Sequence, residues 1–106
     1  MAAILTAEEF SKHVNTEFHV NLNPEMRTEL ELVEVRVYTS KYEEQSGMER
    51  FSVYFTDPAE PLLPQLLYPF HHAEMGEFEM FLVPIGKNEA GFRYESVFNY
   101  FKSTEA

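Results

Sequence analysis

A chain of 106 residues that is 44 % hydrophobic, with ten Phe and six Tyr, can bury one core and is too aromatic for intrinsic disorder. The absence of cysteine removes disulfides, thiolate metal sites and cysteine nucleophiles together, and fits a protein that folds without oxidation. Eighteen acids against eight bases leave a net charge of −10, which denies direct nucleic-acid binding its basic footprint.

The acids are scattered and form no block, so they read as a soluble, self-repelling surface; docking on a basic partner, or mimicry of nucleic acid, is the sharper alternative. The opening "MAAILTAEEF" lacks the basic start and long apolar run of a signal peptide. No stretch reaches the roughly 18 apolar residues of a membrane span. The expected location is cytoplasmic, with no membrane partner.

"LTAEEFSKHV" predicts a short helix. Thr6 is an N-cap, and Glu9 three residues on completes a capping box. Leu5, Phe10 and Val14 give it an apolar stripe, and a helix this short must lie on something. "TEFHVNL" alternates Phe18, Val20 and Leu22 with polar residues, a strand of period two. "NPEMR" is a turn by its Asn-Pro start. "TELELVEVRVY" is a long strand with a change of phase, from Leu30 and Leu32 to Val33, Val35 and Val37. A β-bulge near Leu32–Val33 would keep both sets inward and bend the strand, as a barrel corner requires.

"KYEEQSGME" reads as a polar loop. "RFSVYFT" points Phe51, Val53 and Phe55 inward and Ser52, Tyr54 and Thr56 to the other face. "DPAEPLLPQ" has too many prolines for a central strand and predicts an extended loop whose Leu62 and Leu63 plug one end of the core. "LLYPFHH" is a strand that Pro69 confines to an edge or a short irregular piece. After the turn at "EMG", "EFEMFLVPIG" is a strand whose continuous run from Phe81 to Val83 predicts burial on both faces. "KNEAG" turns, and "FRYESVFNYF" closes the domain with Phe92, Tyr94, Ser96, Phe98 and Tyr100 on one parity. The tail "KSTEA" is expected to fray.

One short N-terminal helix followed by strands without intervening helices implies antiparallel pairing. The expected fold is mainly β: the helix packed on a small antiparallel β-barrel or roll of about six strands, with residues 1–106 forming a single barrel-like domain.

The segments 5–10, 51–58, 63–72, 76–84 and 94–99 follow, in order, the patterns "LTxxxF", "F-x-F-x-G/D-P", "L-x-Q-x-x-Y" with a following His, "G-x-x-x-x-F-L-V-P" and "Y-E-A-V-F-N". In these the chain resembles a family of small bacterial proteins classed as a domain of unknown function. Ser96 stands where that pattern has alanine. The resemblance implies a β-rich fold and no assigned activity.

Two constellations could carry chemistry. In "HHAE", His71 and His72 point to opposite faces of a strand, while His72 and Glu74 share parity. Two ligands fall short of a metal site, and His13 and His19 lie far off in sequence, so no metal or cofactor is expected. His72 is expected to hydrogen-bond a backbone carbonyl or a tyrosine. In "RYESVFN", Glu95 in aromatic surroundings reads as a fold clasp partnered by Arg93 or by backbone donors, with an acid–base role as the alternative. Asn99 is expected to tie down a loop, and Gln65 to bond backbone left unpaired by the prolines. Gln65, Tyr68, His72, Glu95 and Asn99 are the candidate binding residues, and no catalytic residue is assigned. Four glycines make no phosphate loop, and no serine sits in a nucleophile elbow.

The function expected is a non-enzymatic interaction or accessory module with a protein partner, as a component of a larger assembly such as a phage-tail-like particle. Aromatics on both strand parities supply the anchors of a binding surface. A barrel that binds a small apolar ligand, and a hydrolase or isomerase using His72 and Glu95, are the alternatives.

Overall fold

The computed structural model describes residues 5–23, 26–57, 63–89 and 91–101. The expected Asn-Pro turn at 24–25, Leu62 with its proline-rich neighbours 58–61, and the tail 102–106 lie outside them. So do the side chains of Tyr100 and Phe101. Six antiparallel strands close into a barrel: β1 (Glu17–Asn23), β2 (Met26–Val37), β3 (Met48–Asp57), β4 (Leu66–His72), β5 (Gly76–Asn88) and β6 (Gly91–Phe101), in the order β1-β2-β3-β6-β5-β4. Among the described residues no helix is long and apolar enough to cross a membrane.

The helix α1 (Ala7–Ser11) is shorter than its sequence pattern suggests. Thr6 Oγ1 caps it by accepting from the Glu9 amide at 3.1 Å. The Glu9 carboxylate turns forward to Lys12 Nζ at 3.2 Å. Phe10 inserts from α1 into the barrel, with its ring 5.6–6.2 Å from those of Phe18, Phe51, Phe78 and Phe98. Asn15 takes a left-handed φ of 73°, which Asn tolerates better than most residues, and so reverses the chain into β1.

The bulge falls where the phase change of β2 requires it. Leu32 pairs with Phe55 and Glu34 with Tyr54, which leaves Val33 as the extra residue. Leu30 and Leu32 are buried before the bulge and Val35 packs on the core after it, whereas Val37, at the strand end, is exposed.

The segment expected to be a polar loop contains a second helix, α2 (Lys41–Gln45). Its cause is a capping box: Ser40 Oγ accepts from the Glu43 amide at 3.1 Å, and Glu43 Oε1 accepts from the Ser40 amide at 3.0 Å. Pro69 is not on an edge either, because a closed barrel has none. The β1–β4 ladder consists of His19 with His71 and Val20 with Phe70, and stops one residue short of Pro69. The proline therefore interrupts no bond on that side.

The core is one cluster lining the barrel: Phe10, Phe18, Phe51, Phe55, Phe70, Leu30, Leu32, Leu82 and Tyr94 are almost wholly buried. Strands β3 and β4 are not neighbours, so the chain must cross between them. Leu63, near the end of that crossing, is buried as expected, with its amide donating to the Tyr94 hydroxyl at 2.9 Å. Tyr68 donates its hydroxyl to the Pro64 carbonyl at 2.7 Å. Two core tyrosines thus satisfy the backbone of a segment whose prolines offer it no ladder.

The expectation that Phe81 to Val83 is buried on both faces fails. Leu82 faces inward and is fully buried, but Phe81 faces out and is half exposed. The strand buried on both faces is β3, where Ser52, Tyr54 and Thr56 are buried along with the inward Phe51, Val53 and Phe55.

Candidate functional site

Two side-chain clusters flank the barrel wall, one inside and one outside. The inner cluster is built on His72, buried at the end of β4. Its Nδ1 accepts from the amides of Glu74 at 3.0 Å and Met75 at 3.1 Å, in the turn that follows the strand. The ring proton therefore sits on Nε2, which donates to Thr16 Oγ1 at 2.9 Å. Thr16 Oγ1 in turn donates to the His13 carbonyl at 2.6 Å. The partners are thus amides and a hydroxyl rather than the carbonyl or tyrosine expected, because the tight turn aims two N–H groups at the ring.

Burial, and then the neighbouring His13, hold His72 below the ordinary histidine range. The His13 ring lies tilted against His72, with centres 4.5 Å apart, and is 3.6 Å from both the Glu9 and Glu74 carboxylates. The expectation that His13 is remote therefore fails: the turn after α1 brings it onto the end of β4. Outside, His71 and His19 face each other across the β1–β4 seam at 6.0 Å. Among the described residues no group of three or more His, Asp or Glu is placed to hold a metal ion. Both nitrogens of His72 are committed to the fold, which leaves it no free atom for a reacting molecule.

The outer cluster lies over β3. Ser52 Oγ donates to Glu95 Oε2 at 2.7 Å. The clasp expected at Glu95 thus has a hydroxyl from the facing strand as its partner, in place of Arg93 or a backbone amide. The Tyr54 and Tyr38 hydroxyls are hydrogen-bonded, and Tyr54 also reaches Glu95. Burial first, then Tyr38 and Glu95, push the Tyr54 phenol up to about 12. The guanidinium carbons of Arg36 and Arg93 lie 5.3 Å and 5.6 Å from the centre of the Tyr54 ring. Glu34 holds Arg36 through two bonds of 3.0 Å and 2.7 Å. Among the described residues Arg93 has no carboxylate within 4 Å.

Beside this cluster runs an exposed apolar row that includes Phe81, which the sequence reading buried. Leu67 on β4 pairs with Phe81 on β5. The Ser96 hydroxyl donates to the Phe81 carbonyl at 2.8 Å, which sets β6 alongside with Val97 facing out. Leu67 is 57 % exposed, Phe81 49 % and Val97 65 %. Val97 in turn pairs with Ser52, so the row runs directly into the Tyr54 cluster. The alternation of β4 and β6 with the buried Tyr68 and Tyr94 carried the signal for this row, had the "FLVP" run been read by parity rather than by continuity.

The five candidate residues do not converge. Tyr68 and His72 face the interior, whereas Glu95 lies on the outer wall. Gln65 is exposed just before β4, and Asn99 is exposed opposite Arg50. Among the described residues neither amide makes the backbone contact expected of it.

A family model described as a domain of unknown function (DUF6916) matches residues 5–98. No curated protein and no solved structure matches the chain.

Proposed function

The chain belongs to the DUF6916 family, a domain of unknown function, and from its own surface we propose that it is a non-enzymatic interaction module serving in a larger protein assembly. One observation carries this reading: the row Leu67, Phe81 and Val97 exposes large apolar side chains together on three strands. Scattered exposed apolar residues are ordinary, but a contiguous row beside tyrosine and arginine has the composition of an interface centre. An ordered particle of the phage-tail type is the class of assembly this favours, by fold-level analogy alone.

The alternatives draw less support. An apolar ligand would need room inside the barrel, where Phe10, Phe18, Phe55 and Phe70 already pack together. Acid–base chemistry by His72 with Glu95 would need the two on one side of the wall, and they lie on opposite sides.

The test is a photo-crosslinking amino acid placed at position 97 in the native host, with position 17 on β1 as the control. Protein adducts at 97, absent at 17 and reproduced with the purified adduct partner, support the reading. Equal labelling at both positions, or none at 97, refutes it.

A further inference from the structure

We propose that the barrel opens at the seam between β1 and β4, and that the facing pair His19 and His71 makes this opening respond to acid.

The closure rests on little at that seam. Among the described residues the β1–β4 ladder has two residue pairs, His19 with His71 and Val20 with Phe70, whereas the other five ladders have from five to ten. Pro69 comes next on β4 and has no N–H to carry the ladder further. Under the seam lie Val20 and Phe70, both buried in the core. Opening it exposes apolar interior and two strand edges, while each half keeps its own longer ladders.

Histidine is the side chain that gains charge between about pH 8 and pH 5. On the outer face the His19 and His71 rings lie 6.0 Å apart, and two charged rings there are like charges directly opposite one another. Each ring has a carboxylate on its far side. Glu29 on β2 pairs with His19, and its Oε2 lies 3.3 Å from the buried Nδ1, which makes no hydrogen bond among the described residues. Glu77 on β5 pairs with His71. These carboxylates do not hold the seam shut. When β1 parts from β4, Glu29 stays with His19 and Glu77 stays with His71. The contact between the two histidines is the one that opening breaks, and only such a differential contact can shift the equilibrium.

The other charged groups nearby do not reverse this. Arg27 and Glu31 flank Glu29 on β2, and Glu79 follows Glu77 on β5, each on the side of its own histidine. Glu17 on β1 lies on the diagonal to His71, but it is exposed, and among the described residues it has no ion pair within 4 Å. On the inner side His72 faces His13 and Glu74.

The sign is fixed by these contacts. At the alkaline end both rings are neutral and the seam is closed. As pH falls both rings charge, and the closed form is disfavoured against the open one. At 6.0 Å near a protein surface this amounts to about three- to tenfold in the opening equilibrium. Global unfolding also breaks the carboxylate pairs, which offsets the relief between the histidines, so local opening is the quantity to measure.

The chain has no cysteine, so one introduced thiol can report the opening. Val20→Cys places it under the seam, and Val53→Cys places it equally buried on β3, between two long ladders. Each full-length variant is labelled with a pyridyl disulfide from pH 8 to pH 5. The ratio of the two rates cancels both the titration of the thiol and any change in global stability. With the histidines in place, the ratio of position 20 to position 53 should rise about three- to tenfold on acidification. His71→Asn should abolish the rise, and His71→Glu, which sets opposite charges across the seam, should turn it into a fall. A ratio that stays flat with both histidines present overturns the proposal. So does a rise that survives His71→Asn, which would place its cause at His72, or one that survives His71→Glu.

Discussion

Strands β3 and β5 invert what their sequences suggest. In β5 the run Phe81, Leu82, Val83 is apolar throughout, yet Phe81 is half exposed. In β3 the outward residues are Ser52, Tyr54 and Thr56, yet all are buried. The outer face of β3 is covered by long side chains from both sides: Arg36 from β2 and Tyr38 just after it, and Arg93 and Glu95 from β6. Burial of the second face thus depends on whether a flanking strand carries chains long enough to fold over it and polar enough to satisfy it. Continuous apolarity signals double burial only where another layer packs on the sheet. In a lone barrel it leaves every second apolar side chain of the run facing solvent.

The largest test of this contrast compares the two sides of β5. Leu82→Ala should destabilise the protein by about 2–5 kcal/mol in urea unfolding, because it empties a fully buried site. An unchanged midpoint would mean that Leu82 does not face the core.

The covered face of β3 should respond next. Glu95→Ala leaves the buried Ser52 hydroxyl without its acceptor and should cost about 1–3 kcal/mol. Glu95→Gln keeps an acceptor and should be milder. If both variants unfold like wild type, Glu95 is no clasp and the cover over β3 is incidental.

The two histidines of β4 sharpen the same inside–outside contrast through pH. Protonating His72 would cost it both amide bonds at Nδ1, so its folded pKa lies below the value near 6.5 of the unfolded chain. Above that pH the ring is neutral in both states and stability is insensitive to it. As pH falls from about 6.5 through the lowered folded value, the unfolded chain binds a proton that the folded chain refuses, and stability declines. His72→Asn keeps an acceptor for the turn amides and removes the titration, so thermal midpoints taken across pH 5–8 should lose part of their acid slope. The exposed His71 replaced by Asn should keep it. Equal slopes in all three proteins would remove His72 from the acid response.

The smallest effect should come from Phe81. Phe81→Ser should shift the stability of the monomer by no more than about 0.5 kcal/mol, as for surface substitutions generally. A loss matching that of Leu82→Ala would show that the outer row is already packed within one chain.

Most of the helix and strand pattern was legible in local sequence. Thr6 announced α1, the phase change after Leu32 announced the bulge, and "LLYPFHH" gave β4 to the residue. Where reading failed, one cause was a local signal passed over, as with Ser40 and Glu43 at the start of α2. Pro69 misled because its effect depends on where the neighbouring ladder stops. The site was far less legible. Glu95 was singled out for its surroundings, but its partner Ser52 lies 43 residues away, and the contact of His72 with Thr16 spans 56.

By itself the sequence determined which residues are strand, which side chain of each strand points inward, and where β2 bends. These follow from a period of two and from turn and cap chemistry, which act over a few residues. Only the tertiary structure decided that β3 lies between β2 and β6, that β4 closes on β1, and hence that Tyr54 is roofed while Phe81 is bare. Parity says which way a side chain points, but what it meets there belongs to strands distant in the chain, chosen by the closure of the barrel as a whole.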